Sequence, residues 1–166
     1  MDLYLIRHAE AVDVGTNHVI QDCDRYLTQK GTKQAVNIAK WLKKTHVTFE
    51  QIWTSPWQRA FETAEIILKY SRINTEINMH SCLAPGNRFE LLDLIGESNL
   101  KSVIIVGLEP FLGELVNYLV LGNTPLGIPL GKGSISKIKV KDPYSGQNKM
   151  EYYVSSKTIT ELTQKG

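Results

Sequence analysis

An arginine and a histidine stand side by side at the end of a short apolar stretch near the start of the chain. The stretch from Leu3 to Ile6 runs directly into Arg7 and His8. An imidazole can act as a nucleophile, and a guanidinium can bind an oxyanion through two parallel hydrogen bonds. The residue types alone are equally compatible with a structural role, in which Arg7 pairs with Asp2 or Glu10 and His8 is an ordinary loop residue.

A second arginine, Arg59, follows the pair Ser55-Pro56. Serine as N-cap and proline at the first helical position predict that a helix begins here, with Arg59 in or next to its first turn. The free N–H groups and the dipole of that turn favour anions, so a cation placed there needs an anionic partner. A bound phosphate and a salt bridge to Glu62 or Glu10 are both compatible with the sequence.

Three predicted strands would carry these residues to one edge of a sheet. Leu3–Ile6 and Lys101–Gly107 contain short, β-favouring apolar runs, which are typical of strands buried on both faces, and Gln51–Thr54 is predicted as the strand between them in the sequence. Each is followed by a predicted helix, an order that indicates parallel strands joined by right-handed crossovers. Because ligands bind beyond the carboxyl ends of such strands, we expect Arg7, His8 and Arg59 to share one site. Two guanidinium groups beside His8 would keep its imidazole neutral near pH 7.

The remaining elements complete the predicted fold, an α/β three-layer α/β/α sandwich around a mostly parallel sheet with an antiparallel edge hairpin. A polar loop over residues 11–26 is predicted to cover the site. The other predicted elements are a helix capped by Thr28 and ending near Lys44, an edge strand Asn74–Met79, a helix over Glu90–Ile95, a helix starting at Pro110, a Gly/Pro-rich connection Gly122–Gly133, and hairpin strands Ser134–Val140 and Met150–Val154.

Composition narrows the class of protein. The 166 residues fit a single domain spanning 1–166, with a net charge of only +2. Scattered lysines predict no nucleic-acid partner, and the lack of a long apolar run predicts no membrane partner. Asp2 stands where a signal peptide would carry a cation, so we expect a cytoplasmic protein. The two cysteines, Cys23 and Cys82, have no metal-ligand spacing, and we expect neither a metal site nor a cofactor.

The order and spacing of these motifs resemble the histidine phosphatase (phosphoglycerate mutase-like) superfamily, in particular the SixA-type phosphohistidine phosphatases. The residues that carry the resemblance are Arg7-His8, Asp24-Arg25, Leu27-Thr28, Gly31, Ser55-Pro56, Arg59-Ala60, Thr63-Ala64 and Gly107-Leu108-Glu109-Pro110. The resemblance implies that His8 is the catalytic nucleophile that becomes phosphorylated and that Arg7 and Arg59 are catalytic and hold phosphate. It also implies a role in signal transduction, with a phosphohistidine-bearing protein such as a phosphotransfer domain as the partner, and phosphate or an analogue as a ligand.

One position departs from the family pattern. Leu108 stands where the family has a second histidine, so the substrate-binding set becomes Arg7, Arg59 and Leu108, without a hydrogen-bond donor at the third position. Candidates for the family's proton-donating acid are Glu10, Glu109 and Glu114. Two functions therefore stay open: a phosphohistidine phosphatase impaired by Leu108, and a non-catalytic phosphate- or phosphopeptide-binding pseudophosphatase on the same fold.

Overall fold

The computed structural model describes residues 1–123 and 128–164 of the chain, and six strands form one mixed sheet in it. The strands are β1 Asp2–Arg7, β2 Gln51–Thr54, β3 Glu76–Met79, β4 Ser102–Gly107, β5 Ile135–Lys139 and β6 Lys149–Val154. Their order across the sheet is β3-β2-β4-β1-β5-β6. The first four are parallel, whereas β5 is antiparallel to both β1 and β6. The predicted parallel sheet and its antiparallel edge hairpin are therefore confirmed.

In the described part of the chain, five α-helices cover the two faces of the sheet. They are α1 Gln29–Lys44, α2 Gln58–Ser71, α3 Arg88–Glu97, α4 Phe111–Leu121 and α5 Ser156–Gln164. Alternate side chains of β1 point to opposite faces, so Leu3 and Leu5 pack with α3 and α4, while Tyr4 and Ile6 pack with α1, α2 and α5. The predicted three-layer α/β/α arrangement is confirmed.

The start of α2 differs from the prediction. The helix begins at Gln58 with Trp57 as N-cap, not at Pro56 with Ser55 as N-cap. The reason is that Ser55 still belongs to the sheet edge, where its N–H donates to the carbonyl of Val106 at 3.0 Å. The Ser55 hydroxyl accepts a hydrogen bond from the N–H of Trp57 at 3.3 Å and so shapes the turn before the helix.

Three further boundaries shift or are new. The edge strand begins at Glu76 and not at Asn74, and the helix predicted over Glu90–Ile95 begins earlier, at Arg88, with Asn87 as its N-cap. The sequence does not predict the C-terminal helix α5. Of the connection predicted over Gly122–Gly133, residues 124–127 lie outside the described part of the chain.

No helix in the described residues is long and apolar enough to cross a membrane.

Candidate active site

His8 lies at the carboxyl end of β1 and is enclosed by the surrounding chain. Its backbone N–H donates to the carbonyl of Gly107 at 3.0 Å, which extends the pairing of β1 with β4 beyond the strands themselves. The residue is only 4% exposed, so it is more deeply enclosed than the rim position that the sequence predicts. The ring nitrogen Nδ1 lies 2.6 Å from the carbonyl oxygen of Ala9. Because a carbonyl can only accept, Nδ1 carries the proton and Nε2 presents a lone pair.

The imidazole of His8 is neutral near pH 7. Burial lowers the pKa of His8 to about 3, and the positive charges of Arg59, Arg7 and Lys132 act in the same direction, against the opposing effect of the Ala9 carbonyl. The two arginines contribute as the sequence predicts, but burial is the larger cause. A neutral imidazole with an unprotonated Nε2 is the form in which histidine acts as a nucleophile.

Arg59 lies in the first turn of α2 and directly contacts His8. Its Nε donates to His8 Nε2 at 3.1 Å, and its guanidinium carbon lies 4.8 Å from the centre of the Trp57 ring. The residue is 5% exposed, so it is a buried cation and not a surface residue. The structure thus brings together the arginine and the histidine that the sequence assigned to one site.

The anionic partner of Arg59 is Asp22, not Glu62 or Glu10. Arg59 Nη1 donates to the Asp22 carbonyl at 2.5 Å, and Nη2 donates to Asp22 Oδ2 at 2.9 Å. Asp22 belongs to a short 3₁₀ helix, Asp22–Asp24, within the loop that the sequence predicts over the site. Burial of the Asp22 carboxylate opposes its ionisation, but hydrogen bonds from Arg25 and Arg59 outweigh this and lower the pKa of Asp22.

The two acids that sequence analysis offered as partners are engaged elsewhere. Glu62 accepts hydrogen bonds from the N–H of Leu27 at 2.7 Å and from Gln58 at 2.8 Å. Glu10 pairs with Lys30 at 2.6 Å. Both acids therefore tie the N-terminal part of the chain to neighbouring helices.

Arg7 pairs with neither of the acids considered for it. Its Nη1 donates to the carbonyl of Leu130 at 2.7 Å, while Asp2 pairs with Lys137 at 2.9 Å. The Nε of Arg7 is buried and has no hydrogen-bond partner among the described residues. A buried guanidinium N–H without a partner is costly, and an oxyanion bound at this site would satisfy it.

Leu108 follows β4, the strand that lies between β1 and β2, and is 5% exposed. Its aliphatic side chain offers no hydrogen bond. The next residue, Glu109, accepts a hydrogen bond from the N–H of Leu130 at 3.2 Å. Since the carbonyl of Leu130 accepts from Arg7, the backbone of Leu130 connects Glu109 to Arg7.

The three candidate proton donors differ in their surroundings. The pKa of Glu10 is lowered, chiefly by its hydrogen bond from Lys30. Glu114 is exposed in the first turn of α4. Burial raises the pKa of Glu109, so of these three acids it has the environment that favours the protonated form.

Sequence reasoning missed three residues of the site: Asp22, Thr63 and Lys132. The Thr63 hydroxyl accepts from the N–H of Ala9 at 3.1 Å and donates to the Arg59 carbonyl at 2.6 Å, so it joins the His8 segment to α2. The family motif includes Thr63 but assigns it no role, and the Asp-rich loop is the only signal for Asp22. Nothing in the local sequence around Lys132 points to the site.

Among the described residues there is no cluster of three or more His, Cys, Asp or Glu side chains that could hold a metal ion.

Comparison with known proteins identifies a family. Residues 3–84 match the family model described as histidine phosphatase superfamily (branch 1). The chain is 29% identical to the phosphohistidine phosphatase SixA homolog of Haemophilus influenzae, over 76% of this chain and 81% of the relative. It is 28% identical to phosphohistidine phosphatase SixA of Escherichia coli, over 75% of this chain and 78% of the relative.

A solved structure gives the same result at the level of the whole fold. The protein histidine phosphatase SixA complexed with tungstate superimposes with a TM-score of 0.81 and 25% sequence identity. The match covers 96% of this chain and 99% of the SixA chain.

Proposed function

Because the chain belongs to the histidine phosphatase superfamily, with SixA-type proteins among its relatives, we propose that it is a phosphohistidine phosphatase that acts on a phosphorylated protein through a phosphohistidine intermediate on His8. One observation carries the proposal: a buried, neutral His8 whose Nδ1–H is fixed by a carbonyl and whose Nε2 lies 3.1 Å from a guanidinium nitrogen of Arg59. This arrangement supports the proposal, because a lone pair suited to nucleophilic attack lies beside a guanidinium suited to binding phosphate.

In the first step, the Nε2 lone pair attacks the phosphorus atom of the substrate phosphohistidine. The P–N bond of the substrate breaks, and its electron pair returns to the substrate ring, which leaves as a neutral imidazole when its other nitrogen carries a proton. His8 keeps its Nδ1 proton, held by the Ala9 carbonyl. One P–N bond replaces another, so the step needs little help from a general acid.

Arg59 and Arg7 supply the electrostatic part of the reaction. In the free protein the Nε of Arg59 donates a hydrogen bond to the lone pair of His8 Nε2. An incoming phosphoryl group has to break this hydrogen bond, and the same guanidinium can then donate to the phosphoryl oxygens. The Nε of Arg7, which has no hydrogen-bond partner among the described residues, would donate to another oxygen. Phosphoryl transfer depends mainly on positioning and on stabilisation of the charge on the equatorial oxygens, and two guanidinium groups suit both tasks.

In the second step, a water oxygen attacks the phosphorus atom of phosphorylated His8. The bond from phosphorus to Nε2 breaks and its electron pair returns to Nε2, while the water passes one proton to the solvent and inorganic phosphate leaves. This step creates a new P–O bond and is the more demanding of the two. The absence of a donor at Leu108 is therefore expected to slow the enzyme, since loss of one polar donor from such a site typically costs on the order of 10²–10³ in rate.

A second candidate function is a non-catalytic phosphate- or phosphopeptide-binding protein. The observation that favours it is the aliphatic, buried Leu108 at the family's second histidine position. In this case Arg7 and Arg59 would still bind a phosphoryl group, but turnover would be absent.

The experiment that tests the nucleophile is labelling with a radioactive phosphoramidate. We expect the parent protein to form an acid-labile, base-stable phosphoenzyme and His8→Ala to form none. His18→Ala, which removes an exposed histidine, is the matched control and should be labelled like the parent. Undiminished labelling of His8→Ala would show that His8 is not the nucleophile.

Leu108→His distinguishes the two functions. The hydrogen bond from the new histidine would become stronger as negative charge builds up on the phosphoryl oxygens in the transition state. We therefore expect turnover to rise by on the order of 10²-fold with little change in phosphate affinity. The loss of apolar burial should cost about 1 kcal/mol of stability. Turnover in neither protein would favour the binding function, and lower turnover in Leu108→His would show that leucine is the functional residue at this position.

A further inference from the structure

Helix α1 carries an unusual set of charges beside the site. It has five lysines and no acidic residue along its sixteen positions: Lys30, Lys33, Lys40, Lys43 and Lys44. Lysines near the N-terminus of a helix oppose its dipole, whereas lysines in the last turn favour it. The two N-terminal lysines, Lys30 and Lys33, are therefore not explained by the stability of the helix.

Lys30 and Lys33 line a groove of about 620 Å³ between α1 and α5. The other charged residues of its lining are Lys157 and Glu161, and the remaining lining residues carry amide or hydroxyl side chains. Three cations against one carboxylate give the groove a positive charge, while the amides and hydroxyls can donate and accept hydrogen bonds along it.

Two of the cations in the groove are free to bind a partner. Lys30 is paired with Glu10. Lys33 and Lys157 are both exposed and form no ion pair within residues 1–123 and 128–164. The charge on these two lysines is thus not neutralised by the described parts of the chain.

One end of the groove meets the segments that carry the candidate nucleophile. Gln34, a lining residue, accepts a hydrogen bond from the N–H of Glu10 at 2.9 Å, two residues after His8. Ser156, on the α5 side, lies against Gly133, whose N–H is shared between the carbonyls of Arg7 and His8 at 3.1 and 3.2 Å. A protein segment lying in the groove would therefore extend directly to the site.

We propose that this groove binds an acidic segment of the protein that carries the phosphohistidine. The inference rests on the proposed function and names the chemistry of its protein substrate: carboxylates close to the phosphorylated histidine. Glutamates or aspartates of such a segment pair with Lys33 and Lys157, and the segment's peptide groups bind the amide and hydroxyl side chains between them. Complementary charges of this kind select partners and speed their association.

The test uses two synthetic peptides that carry a non-hydrolysable phosphonate analogue of phosphohistidine. One has glutamates at the flanking positions and the other has glutamines at the same positions. At low salt we expect the parent protein to bind the glutamate peptide about tenfold more tightly, as two exposed ion pairs allow. The measured quantity is the ratio of the two dissociation constants.

Charge reversal locates the effect. Lys33→Glu combined with Lys157→Glu should reduce the ratio to one or below, because the groove then repels carboxylates. Lys139→Glu combined with Lys149→Glu is the matched control with the same change in charge. These two lysines are exposed and occupy opposite positions on the neighbouring strands β5 and β6, beside the amino end of β1. Neither lines the groove, so the control should keep the ratio of the parent.

The outcomes separate this inference from the function on which it rests. Equal binding of the two peptides by the parent, or an unchanged ratio in the groove variant, would overturn the docking proposal alone. Equal competition by a single-stranded oligonucleotide of the same charge would overturn the assignment to a peptide. If peptides with unmodified histidine bind as tightly as the phosphonate peptides, the proposed phosphoryl specificity fails, whatever the glutamates contribute.

Discussion

Replacement of His8 by glutamine should make the protein less sensitive to acid. In the unfolded chain an imidazole has a pKa near 6.5, whereas burial lowers the pKa of His8 in the folded protein to about 3. Between these values the unfolded state binds a proton that the folded state does not. Stability from a neutral His8 is therefore fully present above about pH 6.5 and is lost progressively as the pH falls towards about 3.

The size of the effect follows from the shift. At about pH 4.5 the imidazole is protonated in the unfolded chain but still neutral in the folded protein. Because this pH lies about two units below the pKa of the unfolded imidazole, this protonation lowers the free energy of unfolding by about 2.7 kcal/mol relative to about pH 7.5. Several carboxylates also lose favourable interactions in acid, but they do so in both proteins. The difference between parent and His8→Gln thus isolates the histidine.

Urea unfolding at the two pH values measures this directly, with tryptophan fluorescence as the signal, since Trp41 and Trp53 are both buried in the folded protein. We expect the parent to lose about 2–3 kcal/mol more of its unfolding free energy than His8→Gln between about pH 7.5 and about pH 4.5. His18→Gln, at an exposed histidine, is the control for removal of a histidine in general and should follow the parent. If His8→Gln and the parent lose equal stability, the folded protein does not hold His8 in its neutral form, and His8 would lack the lone pair that a nucleophile needs.

Two further predictions concern the anion site and the backbone near it. Arg59→Ala should weaken vanadate binding by roughly 1.5–3 kcal/mol, the range for a hydrogen bond to a charged group. Asp22→Asn removes the carboxylate that competes for Arg59 and should strengthen vanadate binding by up to about fivefold. Calorimetric titration measures both changes, and equal affinity in the parent and the two variants would contradict the assignment of Arg59 to the anion site. Gly31→Ala should lower the unfolding free energy by about 1–3 kcal/mol despite the better helix propensity of alanine, because a Cβ at Gly31 would lie 1.9 Å from the Glu10 carbonyl oxygen. Thermal unfolding measures this change, and a raised melting temperature would show that the backbone around Glu10 moves away from the new Cβ at little energetic cost.

The strands are predictable from sequence because their signal is local. Leu3–Ile6 and Val103–Val106 are runs of apolar residues buried on both faces of the sheet, and apolar runs too short for a helix are typical of such strands. Thr28 likewise marks the start of α1 through its own side chain, which accepts from the N–H of Gly31 at 3.0 Å. In each of these cases the information lies within a few residues of the element.

The features that sequence missed depend on contacts between distant parts of the chain. Ser55 has the residue type of a helix cap, but its N–H donates a hydrogen bond to the carbonyl of Val106 on a neighbouring strand. Helix α5 buries only one apolar residue, Ile159, so it has no periodic apolar pattern to recognise. The pairing of Asp22 with Arg59 joins residues that are 37 positions apart, and only the path of the loop decides which acid reaches the arginine.

Under the proposed function, binding and turnover depend on different groups, and Leu108 is expected to affect only turnover. We expect affinity for a phosphoryl group to come from three cations. They are Arg59 beside His8, Arg7, whose buried Nε has no hydrogen-bond partner among the described residues, and Lys132, whose charge also acts on His8. These cations attract a doubly charged phosphoryl group whether or not it reacts. The neutral imidazole of His8 does not repel the imidazole ring of the substrate by charge. Turnover additionally requires donors that strengthen as charge moves to the phosphoryl oxygens, and an aliphatic side chain supplies none. Under this proposal, we therefore expect substitutions at position 108 to change the rate much more than they change the affinity for phosphate.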